Sequence, residues 1–222
     1  MLQLSAHPAG AATRAAVAVA AARRGDGALL IDYRLDYPAA RAGAVGETGS
    51  FAPLLQIPAA GTPLPADRLW AFTCFELFVG RVGQPGYREF NFSPSGQWAG
   101  WTFRDYRQRD EDAGAPPLPA PQLAWWRAGD AATAALPPRI AEPVALPDNA
   151  SPLALGGKCL PLLVLRAVLP AAALPTGAGA LQLGLSAVVV RGDGDAAYFA
   201  LQHPLERPDF HDRAGFVLSL PG

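Results

Sequence analysis

Lysine is nearly missing from these 222 residues, with Lys158 the sole example, and methionine occurs only at position 1. Arginine carries almost all the positive charge, and 18 basic against 19 acidic side chains leave a net charge of −1. That balance has no basic stripe of the kind that recruits nucleic acid or an anionic membrane surface. The two cysteines, Cys74 and Cys159, each sit in an apolar run and form no closely spaced ligand pattern. A buried reduced thiol is expected for each, with a cross-sheet disulfide as the alternative. No apolar run approaches the roughly eighteen residues that span a bilayer. Residues 1–27 lack a basic region ahead of a leucine-rich core and a cleavage site, so they read as a first strand rather than a secretion signal, and a cytoplasmic protein is expected. Also missing are the Gly-x-Ser-x-Gly elbow, the phosphate-binding Gly-x-x-x-x-Gly-Lys loop and a Gly-x-Gly-x-x-Gly turn after a strand.

What is present is alternation. In residues 28–37, Asp32, Arg34 and Asp36 alternate with Ile31, Tyr33 and Leu35, which predicts a hairpin strand with one wet and one dry face. Residues 69–79 are large and apolar on both faces, which suits a central strand carrying Trp70, Phe72, Cys74, Glu76 and Phe78 on one side. The next two strands, beginning at Tyr87 and ending at Phe103, meet across the turn-forming Ser93 to Gly96. A loop of two or four residues sets Asn91 opposite Trp98 and Glu89 opposite Gly100, so Tyr87, Glu89, Asn91 and Trp98 share a face. Further strands are expected over residues 123–128, 140–146, 158–169, 181–190, 196–202 and 216–220. Pro161 and Pro170 suggest that the 158–169 strand lies at an edge or carries a bulge. Residues 38–67 have no sustained period and read as an irregular excursion. The Arg-Gly-Asp at 191–193 is expected to be turn chemistry within the tight hairpin at 191–195. With no heptads, no amphipathic helix and no internal low-complexity linker, the pattern predicts one all-β domain over 1–222. It would be a jelly-roll or immunoglobulin-like β-sandwich of about nine to eleven antiparallel strands.

The segments LWAFTCFELF (69–78), YREFNFSPSGQW (87–98) and PDFH (208–211) together resemble the DOMON-like superfamily, most closely its branch related to family nine carbohydrate-binding modules. The resemblance takes in nearly the whole chain. It implies a β-sandwich that holds a sugar or a haem in a pocket on one sheet. In the sugar-binding relatives, aromatic rings lie against sugar faces while amide and carboxylate side chains reach the hydroxyls. The chain departs from the haem-binding relatives that use a methionine ligand, since Met1 is its only methionine, and from the exported sugar-binding relatives in its lack of a signal.

Sugar recognition requires a flat apolar ring and planar polar groups that make paired hydrogen bonds. Trp98 with Glu89 and Asn91 supplies both, Glu76 joins if its strand pairs alongside, and Tyr87 and Trp70 would border the site. The competing account makes Trp98 and Trp70 sheet covers, pairs Glu89 with Arg88 or Arg104, lets Asn91 cap the turn, and gives Glu76 a structural ion-pair partner. Two less favoured chemistries use the same residues differently. Glu76 and Glu89 could be the acid pair of a glycoside hydrolase. His203, Asp209 and His211 are weak candidates for a metal, and a histidine among them could ligate haem. The function expected is therefore binding of a sugar-like small molecule without catalysis, with neither cofactor nor metal required.

Overall fold

A computed structural model describes residues 1–37, 55–111, 116–128 and 162–222. Its architecture is the predicted antiparallel β-sandwich. The first sheet contains β1 (Leu2–Gln3), β3 (Ala16–Arg23), β4 (Leu29–Asp36), β10 (Leu163–Leu169) and β9 (Gln122–Arg127), in the order β1-β3-β4-β10-β9. The second contains β2 (Ser5–Ala6), β12 (Ala196–Ala200), β11 (Leu181–Val190), β5 (Cys74–Arg81), β6 (Tyr87–Phe92), β7 (Trp98–Asp105) and β8 (Gln108–Arg109), with β13 (Leu218–Leu220) also paired to β11. These thirteen strands, several of only two residues, exceed the expected number because short edge pairings leave little trace in a hydrophobic pattern.

The inner faces interdigitate as alternation demands. Ile31, Tyr33, Leu35 and Leu165 from the first sheet meet Phe75, Leu77, Phe90, Phe92, Leu183 and Leu185 from the second. The Tyr33 hydroxyl crosses the core to donate to the backbone carbonyl of Glu76, which satisfies a phenol that burial holds neutral by raising its pKa. The predicted wet face of β4 is not wet. Asp32 is fully buried and receives two 2.7 Å hydrogen bonds from the Arg166 guanidinium, directly opposite on β10. Nor does β10 lie at an edge, because it pairs with both β4 and β9 and Pro170 falls just beyond its end. The expected strand over residues 140–146, the beginning of the 158–169 strand, and Cys159 lie outside the described residues. Cys74 is buried with its thiol free.

The β6–β7 turn contains the consequential difference. Ser93 N–H donates to the Gln97 carbonyl and Gly96 N–H to the Ser93 carbonyl, with Gly96 at a φ of 95°. This is a three-residue loop with a glycine bulge, a geometry repeated at Arg24–Ala28 and Arg191–Asp195. Its odd length pairs Phe92 with Trp98 and Glu89 with Trp101. Relative to an even loop the partner strand slips by one residue, and a one-residue slip exchanges its two faces. Trp98 therefore stacks on Phe90 against the core, while Trp101 and Phe103 come to the outer face.

That outer face carries a second, smaller core. Phe78, Tyr87, Phe103 and Phe216 pack together with Trp101 and Phe210 beside them. The ring of Phe210 lies against Phe78 and Tyr198, so the PDFH motif anchors the C-terminal segment across the sheet.

Candidate functional site

Between the C-terminal segment, the β7–β8 turn and the 3-10 turn Ala66–Ala71 lies a cavity of about 860 Å³, floored by the outer face of the second sheet. Its polar floor comes from neighbouring strands. Glu76 on β5 stands directly opposite Asn91 on β6, and Glu89 lies one step along β6 on the same face. Aromatic side chains of Trp70, Phe103, Tyr198 and Phe210 line the walls, and Arg107, Arg109, Asp209 and His211 complete one side.

Each floor carboxyl is displaced from its ordinary protonation. Glu76, only 3% exposed, is pushed well upward by burial and then by its neighbour Glu89, and its Oε1 atom has no hydrogen-bond partner. Burial also raises Glu89, to about 7, against the opposing pull of the Asn91 hydrogen bond and of Arg109 and Arg107. Asn91 donates its amide N–H to Glu89 Oε1 at 2.9 Å, which leaves Asn91 Oδ1 enclosed and unpartnered. Neither Arg88 nor Arg104 pairs with Glu89. Arg88 donates to the carbonyls of Ala172 and Leu174, and Arg104 to Gln108.

Tyr87 is buried beneath this site instead of bordering it. Its hydroxyl accepts from the Arg107 backbone N–H at 3.1 Å, so its own proton is available for His211 Nδ1 at 2.8 Å. The network thus assigns the His211 proton to Nε2, which faces Glu89 Oε2 at 3.7 Å. That contact is too long for a hydrogen bond, and it is no ion pair at neutral pH. Burial first, then Arg107 and Arg109, depress His211 to about 4, so the imidazole is neutral beside an acid that titrates near 7. Burial raises Tyr87 to about 12.

The three metal candidates are engaged in other contacts. His203 Nε2 contacts the Ser5 carbonyl, while Asp209 accepts from the Tyr106 hydroxyl at 2.6 Å and from Arg107 at 2.9 Å. Burial opposes the ionisation of Asp209, but those hydrogen bonds and the His211 N–H prevail and lower its pKa. Among the described residues, no group of three or more His, Cys, Asp or Glu is arranged to hold a metal.

Of the six residues singled out from the sequence, Glu76, Glu89 and Trp70 line the cavity. Trp70 does so from the turn preceding β5, 51% exposed, because the strand starts at Cys74 and not at Leu69. Asn91 and Tyr87 share the outer face in an enclosed layer, and Trp98 is on the opposite face. Sequence reasoning missed Phe103, Arg107, Arg109 and Tyr198. The signal for Phe103 was the glycine of an odd-length turn, whereas nothing in local pattern brings Tyr198 or the C-terminal segment over β5.

Fold and site together define an antiparallel β-sandwich with an aromatic-walled, acid-floored cavity on one sheet. No family model matches the chain, and neither does any curated protein. A solved structure from Bacteroides uniformis, described as a "putative carbohydrate-binding protein", is similar over 96% of this chain and 84% of that one, with a TM-score of 0.54 and 16% identity. At that identity the likeness establishes the shared fold. No helix among the described residues is long and apolar enough to cross a membrane.

Proposed function

We propose that this chain is a carbohydrate-binding module-like protein that holds a sugar-like small molecule in the sheet-face cavity without transforming it. We also propose that it belongs with the DOMON-like superfamily, near family nine carbohydrate-binding modules, as a single domain over 1–222. The observation that carries the binding reading is the juxtaposition, in one cavity, of Trp70 and Tyr198 with the carboxyls of Glu76 and Glu89. Rings that line a cavity offer apolar faces to a pyranose, and carboxyls beside them offer paired contacts to adjacent hydroxyls. The sandwich likeness to a protein described as carbohydrate-binding supports the same reading. The one-domain reading is supported by strand pairing across the halves of the chain, β4 with β10 and β5 with β11.

Binding is favoured over hydrolysis by where the carboxyls stand. Glycoside cleavage places its two acids on opposite sides of the scissile bond. Glu76 and Glu89 project from adjacent strands of one wall. Calorimetric titration with a panel of neutral, amino and acidic monosaccharides tests the proposal. Heat from at least one saccharide, with no release of chromophore from aryl glycosides, is the expected result. Absence of heat across the whole panel would overturn it.

A further inference from the structure

Two polar atoms at the cavity face each other without bonding. Glu89 Oε2 and His211 Nε2 are 3.7 Å apart, and both residues line the cavity with side chains 7% and 16% exposed. Neither atom has a hydrogen-bond partner among the described residues, and neither is enclosed as Glu76 Oε1 and Asn91 Oδ1 are. Each group is nevertheless anchored from its far side. Asn91 donates to Glu89 Oε1 at 2.9 Å, which leaves Oε2 for the cavity. The His211 ring stands edge-on to Phe78 and Phe103, at 5.0 and 5.1 Å between centroids. Its Nδ1 accepts from the Tyr87 hydroxyl, which itself accepts from the Arg107 backbone N–H, so the ring proton belongs to Nε2.

We propose, resting on the carbohydrate-binding reading and deepening it, that Glu89 Oε2 and His211 Nε2 together bind one neutral hydroxyl of the ligand, with Tyr87 as the residue that positions the histidine donor. The polarity of the pair decides the chemistry. His211 Nε2 offers one proton, and ionised Glu89 offers lone pairs only. A hydroxyl both accepts and donates, so its oxygen, placed about 2.8 Å from each atom, completes both bonds at once.

The alternatives fit the pair less well. An ammonium would meet the His211 proton with protons of its own, and a carboxylate would meet the charge of Glu89. The acceptor role needs that charge, and Arg107 and Arg109 favour it. The donor role needs a ring proton at Nε2 alone, and the Tyr87 bond supplies that by occupying Nδ1. Selectivity at this point of the ligand is therefore for a hydroxyl, whatever groups the molecule carries elsewhere.

Nitrogen-15 NMR of the imidazoles tests the pair on the alkaline side of the Glu89 titration near 7, where that carboxyl is chiefly ionised. The chain has 3 histidines, and the His211 signals are assigned by their loss in His211→Asn. A protonated Nε2 beside an unprotonated Nδ1 is expected, and the reverse tautomer would overturn the pair. Glucose, glucosamine and glucuronate are titrated with calorimetry alongside, and ethylene glycol, ethylammonium and acetate serve as minimal hydroxyl, cation and anion probes. Any saccharide that gives heat should shift the His211 Nε2 signal, and ethylene glycol should shift it more than ethylammonium or acetate does. His211→Asn keeps an acceptor for Tyr87 but removes the cavity donor, and should weaken saccharide binding about fivefold, the worth of one neutral hydrogen bond. In Glu89→Gln the carboxamide oxygen still accepts from Asn91, which puts an N–H group where Oε2 stood. It should weaken binding at least as much, although loss of a buried acid stabilises the fold at this pH. Saccharide heat with the His211 signal unmoved, or with both variants binding like wild type, would overturn the pair and leave the carbohydrate reading intact. An equal response to ethylammonium or acetate would overturn it too. If no saccharide gives heat but ethylene glycol alone moves the signal, the saccharide reading fails and the pair stands. If no probe moves the signal, the pair is overturned whatever the calorimetry shows.

Discussion

Glu89 couples this site to pH. Its pKa rises from the ordinary 4.5 to about 7 on folding. Below pH 4.5 it is protonated in both folded and unfolded chains, and burial exacts no ionisation penalty. As pH rises from 4.5 to 7 the unfolded chain loses this proton first, so stability falls, and above 7 the loss is complete. The shift corresponds to about 3 kcal/mol. Glu76 acts in the same direction, its pKa being raised too. His211 acts oppositely, since its depression from 6.5 to about 4 makes stability rise with pH through that interval. Comparing Glu89→Gln with wild type by urea unfolding removes the shared His211 contribution. The variant should gain on wild type by about 3 kcal/mol between roughly pH 4.5 and pH 8. An unchanged difference at the two pH values would contradict the assignment. Legibility at this scale was partial: Glu76 is recognisable as an acid within a strongly apolar strand and Glu89 as an acid on an alternating one, but their depth, and the unpartnered oxygen of Glu76, depend on what covers the face.

At the scale of an element, the β6–β7 hairpin decides which tryptophan faces the core. Alternation established that successive side chains take opposite sides, and the strands at 87–92 and 98–105 were legible from it. Which residues oppose one another depends on the count in the turn, and Ser-Pro-Ser-Gly is compatible with even and odd loops alike. Side-chain bonds hold the odd one. Ser95 bonds to Ser93 at 3.0 Å, and Gln97 accepts from the Leu64 N–H at 2.7 Å while donating to the Leu64 carbonyl. A paired substitution tests the resulting register. Trp98→Ala should destabilise the protein by about 3 kcal/mol, as large-to-small core changes do, with saccharide affinity retained. Trp70→Ala should leave unfolding within about 0.5 kcal/mol of wild type and weaken saccharide binding at least fivefold. Calorimetry and urea denaturation on both variants suffice, and the reverse pattern would refute the observed face assignment.

Across the whole molecule, each sheet joins strands distant in sequence, so neither half of the described chain can complete a sheet alone. The Arg166–Asp32 pair spans 134 residues and clamps β10 to β4 at a buried carboxylate. Replacing Asp32 with Ala removes a fully buried carboxylate that accepts two hydrogen bonds from Arg166. It should lower stability by about 3–5 kcal/mol, within a single cooperative unfolding transition. Two separable transitions in wild type would contradict the one-domain reading. The cavity is likewise a property of the whole, because its floor comes from β5 and β6, one wall from the β7–β8 turn and another from residues 208–211.

By itself the sequence determined the fold class, the principal strands and the presence of carboxyls on a sheet face, because period-two alternation and turn chemistry are local and survive in one dimension. Only the tertiary structure decided that Trp98 turns inward, that Asp32 is dry, and that the C-terminal segment roofs the acids. Register depends on a hairpin's residue count and burial on contacts between distant segments, and neither is encoded at the position it affects.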